Sequence, residues 1–346
     1  MESMARILRS KTPGMVMIAV GMVLAAIVAG WFLNRARTCQ SPAGFPTGGA
    51  WTTGAPIPTI RAETSATELD DRIYVAGGMI SDWVATNALE VYDTASDIWR
   101  QAAPLPLPIH HAGVAAANGR IYVTGGYDDM GKMVRAEPDN SRAWVYDPQT
   151  DTWSSIADLP APRAGHAMVT VGDKLYLVGG TGSGAAEVWT YDPATDIWNT
   201  HSAPMSTLRE HVPAIVVDGH IYVIGGRWND VSTPAVEVYD PTSDTWERKA
   251  DLPTPRSALS LALLDGRIHA VGGEDLATGC TYGRHEAYDP QTDTWTTLAD
   301  QPVPRHAMVS AVVDGRWYLI GGSTGAGAQT EPSLTGVTEI FSSSET

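Results

Sequence analysis

An apolar run closed by a glycine pair recurs six times, at Gly77-Gly78, Gly125-Gly126, Gly179-Gly180, Gly225-Gly226, Gly272-Gly273 and Gly321-Gly322, with spacings of roughly 46–54 residues. Self-similarity on this period restricts the chain to a stack or ring of small units, because no single unit can bury its own apolar face. A Tyr-Asp-x5-Trp segment follows each of the first five pairs: Tyr92 to Trp99, Tyr146 to Trp153, Tyr191 to Trp198, Tyr239 to Trp246 and Tyr288 to Trp295. In the third unit, residues 167–171 and 174–178 read as strands about the Gly172-Asp173 turn. Residues 188–191 and 197–200 read as two more, joined by a tight Asp-Pro hairpin. Four short antiparallel strands per unit, with aromatics at fixed places, describe a propeller blade.

The Gly-Gly, Tyr-Asp and Trp signature resembles the kelch repeat and covers roughly residues 50–346. The resemblance implies an all-β, six-bladed kelch-type β-propeller. The sixth unit stops before its tryptophan, whereas Trp51 stands alone in GAWTTGAPIP ahead of the first full unit. Residues 50–55 are therefore expected to supply the outer strand of the last blade, closing the ring and removing exposed sheet edges.

Residues 14–33 carry no charge and are long enough to span a ~30 Å hydrocarbon core as a helix. Arg6, Arg9 and Lys11 precede them; Arg35 and Arg37 follow. The reading is a short tail (1–13), an uncleaved membrane anchor (14–33), a polar linker (34–49) and an extracytoplasmic propeller (50–346). The rival is a cleaved signal that leaves a secreted or periplasmic protein. Cys39 and Cys280 form neither a disulfide framework nor a CxxC site; they are read as separate thiols, with pairing in an oxidising compartment the alternative. The first 49 residues hold five basic side chains against Glu2, so a net charge of −16 leaves −20 on the rest. That body repels phosphate backbones, and nucleic acid is excluded as a partner.

Function on a propeller resides in its loops. The blade-to-blade connections carry an arginine in register, at Arg61, Arg163, Arg209, Arg256 and Arg305, with His110 in that slot of the second unit. Arg227 follows its own glycine pair. These six arginines are expected to ring the mouth of the central channel as a positive funnel for a carboxylate, an acidic glycan or an acidic peptide. Kelch domains that resemble this one hold acidic peptide motifs or acidic sugars with arginines at such loops. The competing reading is that the arginines hydrogen-bond carbonyls between blades, since the opposite turns are also basic in register: Arg72, Arg120, Lys174, His220, Arg267 and Arg316. Trp83 and Trp228 stand outside the repeat register and are free to contact a ligand. An insertion at about residues 128–141 reads as a flap.

For catalysis the candidates are Glu210, His211 and Glu274, on one face with Arg209 and Arg227. The arrangement is similar in kind to N-acetylneuraminate epimerases, six-bladed kelch proteins. Copper-radical oxidases also use kelch propellers, and Cys280 lies near Tyr282 and His285. His110 and His111 are not expected to share a metal, because neighbours on a strand point to opposite faces. No metal or cofactor is expected. The leading reading is a monomeric module that binds a protein or acidic ligand at the arginine-lined face. The alternatives are an enzyme acting on an anionic sugar and a purely structural surface domain.

Overall fold

The structure is a computed structural model that describes residues 37–128, 138–327 and 333–343. It contains six four-stranded antiparallel sheets. The first strands of neighbouring sheets touch in a closed cycle, from Ser65–Leu69 through Gly113–Ala117, Ala167–Val171, Ala214–Val217, Ser260–Leu264 and Val309–Val313 back to Ser65–Leu69. These six strands line the axis. In the third sheet Ala167–Val171 pairs with Lys174–Val178, then Trp189–Asp192, then Ile197–Asn199. The last sheet takes its outer strand from the other end of the chain: Gly49–Gly54 pairs antiparallel with Thr338–Ser343, setting Trp51 opposite Phe341. The ring closes as the lone tryptophan predicts.

Each repeated residue type has a mechanical role. The tryptophan of each of the first five blades donates its indole N–H back to the exit of the preceding blade, as Trp198 Nε1 does to the Ala157 carbonyl at 2.9 Å. The aspartate two residues earlier accepts both the backbone N–H of that exit residue and the repeat tyrosine's hydroxyl; Asp196 does so from Ala157 N and Tyr191 OH, each at 2.7 Å. Apolar side chains fill the seams between blades. Leu175, Leu177, Trp189 and Tyr191 of the third blade pack on Ala115 and Tyr122 of the second, each large side chain contributing about 1.5–3 kcal/mol on burial. The glycine pairs are required by closeness as well as by conformation: at Gly180, φ is 94° and a Cβ would come within 2.6 Å of the Ala164 carbonyl oxygen.

Two expectations change. Cys39 and Cys280 form a disulfide rather than standing as separate thiols. Arg37–Cys39 also pairs in parallel with Cys280–Tyr282. Because that bridge and the Ser41 N–H to Asp300 bond (2.6 Å) hold the segment down, residues 37–49 are part of the propeller body, not a free linker. The expected tail (1–13) and anchor (14–33), and most of the 128–141 insertion, lie outside the described residues. Among the described residues, no helix is long and apolar enough to cross a membrane.

Candidate functional site

The five connection arginines do not form an open funnel. Arg61, Arg163, Arg209, Arg256 and Arg305 are each 0% exposed. Four of them turn inward onto a glutamate in the third strand of the same blade: Arg61 to Glu90, Arg209 to Glu237 (2.8 Å), Arg256 to Glu286 (2.5 Å) and Arg305 to Glu339. Their Nη2 groups also donate to a second-strand carbonyl, those of Val75, Val223, Ala270 and Leu319. Among the described residues Arg163 has no glutamate in an ion pair; it lies over the Trp189 ring, 3.7 Å from its centre. Burial lowers the pKa of Arg163 to about 9 and of Arg209 to about 10. The slot of the second blade is held by Ile109, whose carbonyl accepts from Gly78 as those of the arginines do from the other glycine pairs; His110 is one residue further on. Sequence carried a signal for this pairing. The arginine-slot residue and the residue two before Tyr-Asp vary together, as Arg with Glu in four blades, Arg163 with Trp189, and Ile109 with Trp144.

Two residues beyond the slot the chain makes a ring of its own. Glu63, His111, Gly165, His211, Ala258 and Ala307 all have φ between 48° and 64°. Each donates its backbone N–H to the carbonyl of the equivalent residue in the preceding blade, at 2.9–3.2 Å, so six hydrogen bonds close on themselves around the axis. The left-handed turn aims three of these side chains, Glu63, His111 and His211, at one another. The channel below holds a cavity of about 130 Å3 that these three residues help to line. A smaller one of about 30 Å3 lies towards the mouth, against Trp83, His211, Arg227 and Glu274.

Here the structure does gather the residues singled out for catalysis. Arg227 Nε donates to Glu210 at 2.7 Å, its Nη1 reaches Glu274, and its Nη2 lies 2.9 Å from His211 Nε2. Glu210 also holds His211 Nδ1, and Glu274 accepts the Gly327 N–H at 2.6 Å. Burial alone would raise the Glu210 carboxyl, but His211 and Arg227 hold it down at about 2. The same contest brings Glu63 and Glu274 below the usual carboxylate range. Burial lowers the pKa of His111. Burial and Arg227 would lower that of His211, yet Glu210 and Glu63 outweigh them and raise it. Of the six arginines expected at the mouth, Arg227 alone takes part in this cluster, which holds more acid than base. Arg209 stays behind with Glu237. Glu63 was missed because nothing in its local sequence marks it; only its register, two beyond the arginine slot, could have.

Further out on the same face, Trp228 and Leu208 wall a cleft of about 500 Å3 between the third and fourth blades, together with Pro204 and Ala186. Ile60, Val84, Leu208 and Val231, in loops at this end, are 39–66% exposed. Cys280 is tied up in its disulfide and is unavailable for the tyrosyl cross-link of a copper-radical site.

Residues 49–208 and 157–322 match the model of the KLHDC2/KLHL20/DRC7 Kelch-repeats domain. The chain is 30% identical to Kelch-like protein 35 of Mus musculus, over 65% of this chain and 37% of that protein. It is 29% identical to Kelch-like protein terF of Aspergillus terreus, over 67% and 54%, and 28% identical to Alpha-scruin of Limulus polyphemus, over 63% and 25%. It thus spans between a quarter and about half the length of these relatives. The solved structure of YjhT superposes with a TM-score of 0.69 at 17% identity, covering 84% of this chain and 97% of that one; the likeness is one of fold.

Proposed function

The chain belongs to the kelch-repeat family, and from that premise we propose that it is a recognition module holding a protein partner on the loop face around the axial cluster. The observation that carries this is the open cleft of about 500 Å3 walled by Trp228 and Leu208, with Val231 exposed opposite Trp228 and Ile60 and Val84 exposed on loops of the first blade at the same end. Exposed apolar side chains with an aromatic wall are what a partner's anchor residue requires. With four connection arginines paired to glutamates and Arg163 buried against Trp189, an acidic ligand finds little free positive charge here. Three carboxylates against Arg227 favour a segment that brings a neutral or basic group to the centre and apolar groups to the rim. The Cys39–Cys280 disulfide supports a propeller held outside the cytoplasm. The test is a photo-crosslinking amino acid placed at Val231 and, as control, at Ile197, which is exposed at the opposite end of the blades. A discrete adduct in the host from Val231 and none from Ile197 is expected; equal labelling from both ends would sink the assignment of the face.

A second reading rests on the convergence of Glu210, His211, Arg227 and Glu274 beside the axial cavities. A guanidinium held among acid–base groups is suited to orient a carboxylate while a proton moves. It makes the protein an enzyme acting on an anionic sugar. Interconversion of such a sugar by the wild type, lost in Glu210→Ala, would favour it over the partner reading; inert wild-type protein would remove it.

A further inference from the structure

The carboxylate of Glu63 and the two imidazoles of His111 and His211 come from three different blades, yet their donor atoms all lie within 4.8 Å of one another. Glu63 Oε2 is 3.1 Å from His111 Nε2, Glu63 Oε1 is 3.7 Å from His211 Nε2, and the two Nε2 atoms are 2.8 Å apart. A tetrahedral zinc ion with bonds of about 2.0–2.1 Å spaces its ligand atoms about 3.3 Å apart. The two His111 Nε2 separations, to Glu63 Oε2 and to His211 Nε2, are a little shorter than that value, and Glu63 meets His211 through its other oxygen, so an ion would spread the imidazoles slightly and draw on either carboxylate oxygen.

We propose that Glu63, His111 and His211 form a binding site for one divalent transition-metal ion of the zinc class on the propeller axis. The proposal does not depend on the partner reading, since a metal at this depth is compatible with any occupant of the outer cleft. Three further observations support it. First, the other ring nitrogen of each histidine already has a partner: His211 Nδ1 faces Glu210, and His111 Nδ1 lies 2.5 Å from His110 Nδ1. A metal-bound imidazole is held in this way, its far N–H donated to an orienting group. Second, the charges leave room for a dication. Among the described residues, Glu63, Glu210 and Glu274 face a single guanidinium, Arg227, so with neutral imidazoles this set carries −2. Third, among the described residues no fourth protein donor completes the set, and cavities on both sides leave a coordination position open to water or a ligand atom.

Sequence argued against a metal here on the assumption of extended backbone, in which adjacent histidines point apart. His111 has φ of 58°, and that turn redirects its ring onto the axis. Arg227 Nη2 competes for His211 Nε2 at 2.9 Å. Its other contacts, to Glu210 and Glu274, keep the guanidinium in place when that one gives way.

The test uses the untagged, full-length chain stripped with a chelator and titrated with Zn(II) by calorimetry and with Co(II) by visible absorption. One equivalent is expected, with the d–d bands of four-coordinate Co(II). Glu63→Gln and His111→Ala should weaken binding at least 100-fold, and Glu210→Gln, which removes an orienting partner, by about 10–100-fold. Arg227→Gln should tighten it, because a neighbouring positive charge is gone; a purely structural role would not move affinity in that direction. His201→Ala/His220→Ala, exposed positions, should change nothing. Metal-free melting curves establish that each variant is folded. Failure of the wild-type chain to bind an equivalent, or binding that survives Glu63→Gln and His111→Ala but is lost in the His201/His220 variant, overturns the site.

Discussion

Replacing Arg256 with methionine separates a pinned arginine from a funnel arginine. In the structure its guanidinium contacts Glu286 at 2.5 Å and the carbonyls of Gly272 (2.6 Å), Thr254 (2.8 Å) and Ala270 (3.1 Å). Both charged side chains are essentially inaccessible, at 0% and 2%. Arg256→Met keeps the apolar stem but strands Glu286, whose remaining side-chain partner is Thr254 Oγ1 at 2.8 Å. Breaking a buried pair from one side costs about 3–5 kcal/mol. At about 2 °C per kcal/mol for a domain of this size, the melting temperature should fall by about 6–10 °C. Arg256→Met/Glu286→Leu leaves no stranded charge and should recover at least half the loss, because well-packed apolar replacements of buried pairs are close to neutral. Arg163→Met is the internal control. It strands no carboxylate and gives up a ring contact and two carbonyl bonds, so about 1–3 kcal/mol is expected. Circular dichroism melts of the four proteins decide it. If Arg256→Met melts within 1 °C of the wild type, or the double variant is no more stable than the single, the arginines are not structural pins and the funnel returns.

Stability should fall in mild acid. His166 and His110 are held at about 3 by burial, whereas an unfolded imidazole protonates near ~6.5. Between those values the unfolded chain binds more protons, so stability is complete above the unfolded pKa and declines as pH drops, by up to about 1.4 kcal/mol per unit for each histidine. Urea midpoints from pH 7 to 4 should show this, with a shallower slope in His166→Gln; an unchanged slope rules His166 out as a contributor. Cys280→Ser should cost about 2–4 kcal/mol and make the melt insensitive to reductant, whereas the wild type responds to it. Phe341 is 0% exposed beneath the closing strand, so Phe341→Ala should cost about 3–5 kcal/mol; a melt unchanged by it, or by deletion of Gly49–Gly54, would contradict closure by that strand. Gly165→Ala should cost about 1–2 kcal/mol, the strain of a Cβ in left-handed backbone and little more, since alanine already stands at the same position in two other blades and its Cβ would meet nothing nearer than 3.3 Å.

The blades were legible because their signals are local and repeated, the glycine pairs six times and the Tyr-Asp-x5-Trp segment five. Gly-Gly marks a positive-φ corner, Tyr-Asp-x5-Trp marks the pin to the preceding blade, and Trp51 had no other repeat to belong to. Arg227, Glu210, His211 and Glu274 were placed on one face because strand alternation fixes which end of a blade a loop occupies. Direction within a loop is another matter. An arginine at a connection can turn outward to solvent or inward to a glutamate about thirty residues on, and residue type is the same in both cases. The glutamates at 90, 237, 286 and 339 decide it, and they read as ordinary strand residues until they are paired with the slot. The axial triad was hidden for a related reason: a single positive φ at His111 breaks the alternation on which a strand reading depends. The disulfide joins residues 241 apart, a separation no motif announces.

The closing strand also bears on how the chain reaches its native state. Gly49–Gly54 has its hydrogen-bonding partner at Thr338–Ser343, almost the whole domain away in sequence. Emerging from the ribosome, the early strand waits with an unpaired edge until nearly all the rest has been made. Of the strand pairings within the blades, this one closes the longest loop and so carries the largest closure entropy, and it is expected to form late. Until it happens, an exposed strand edge is open to pairing with a neighbouring chain, so conditions that slow this late step should yield intermolecular exchange of the first strand before they yield unfolded protein.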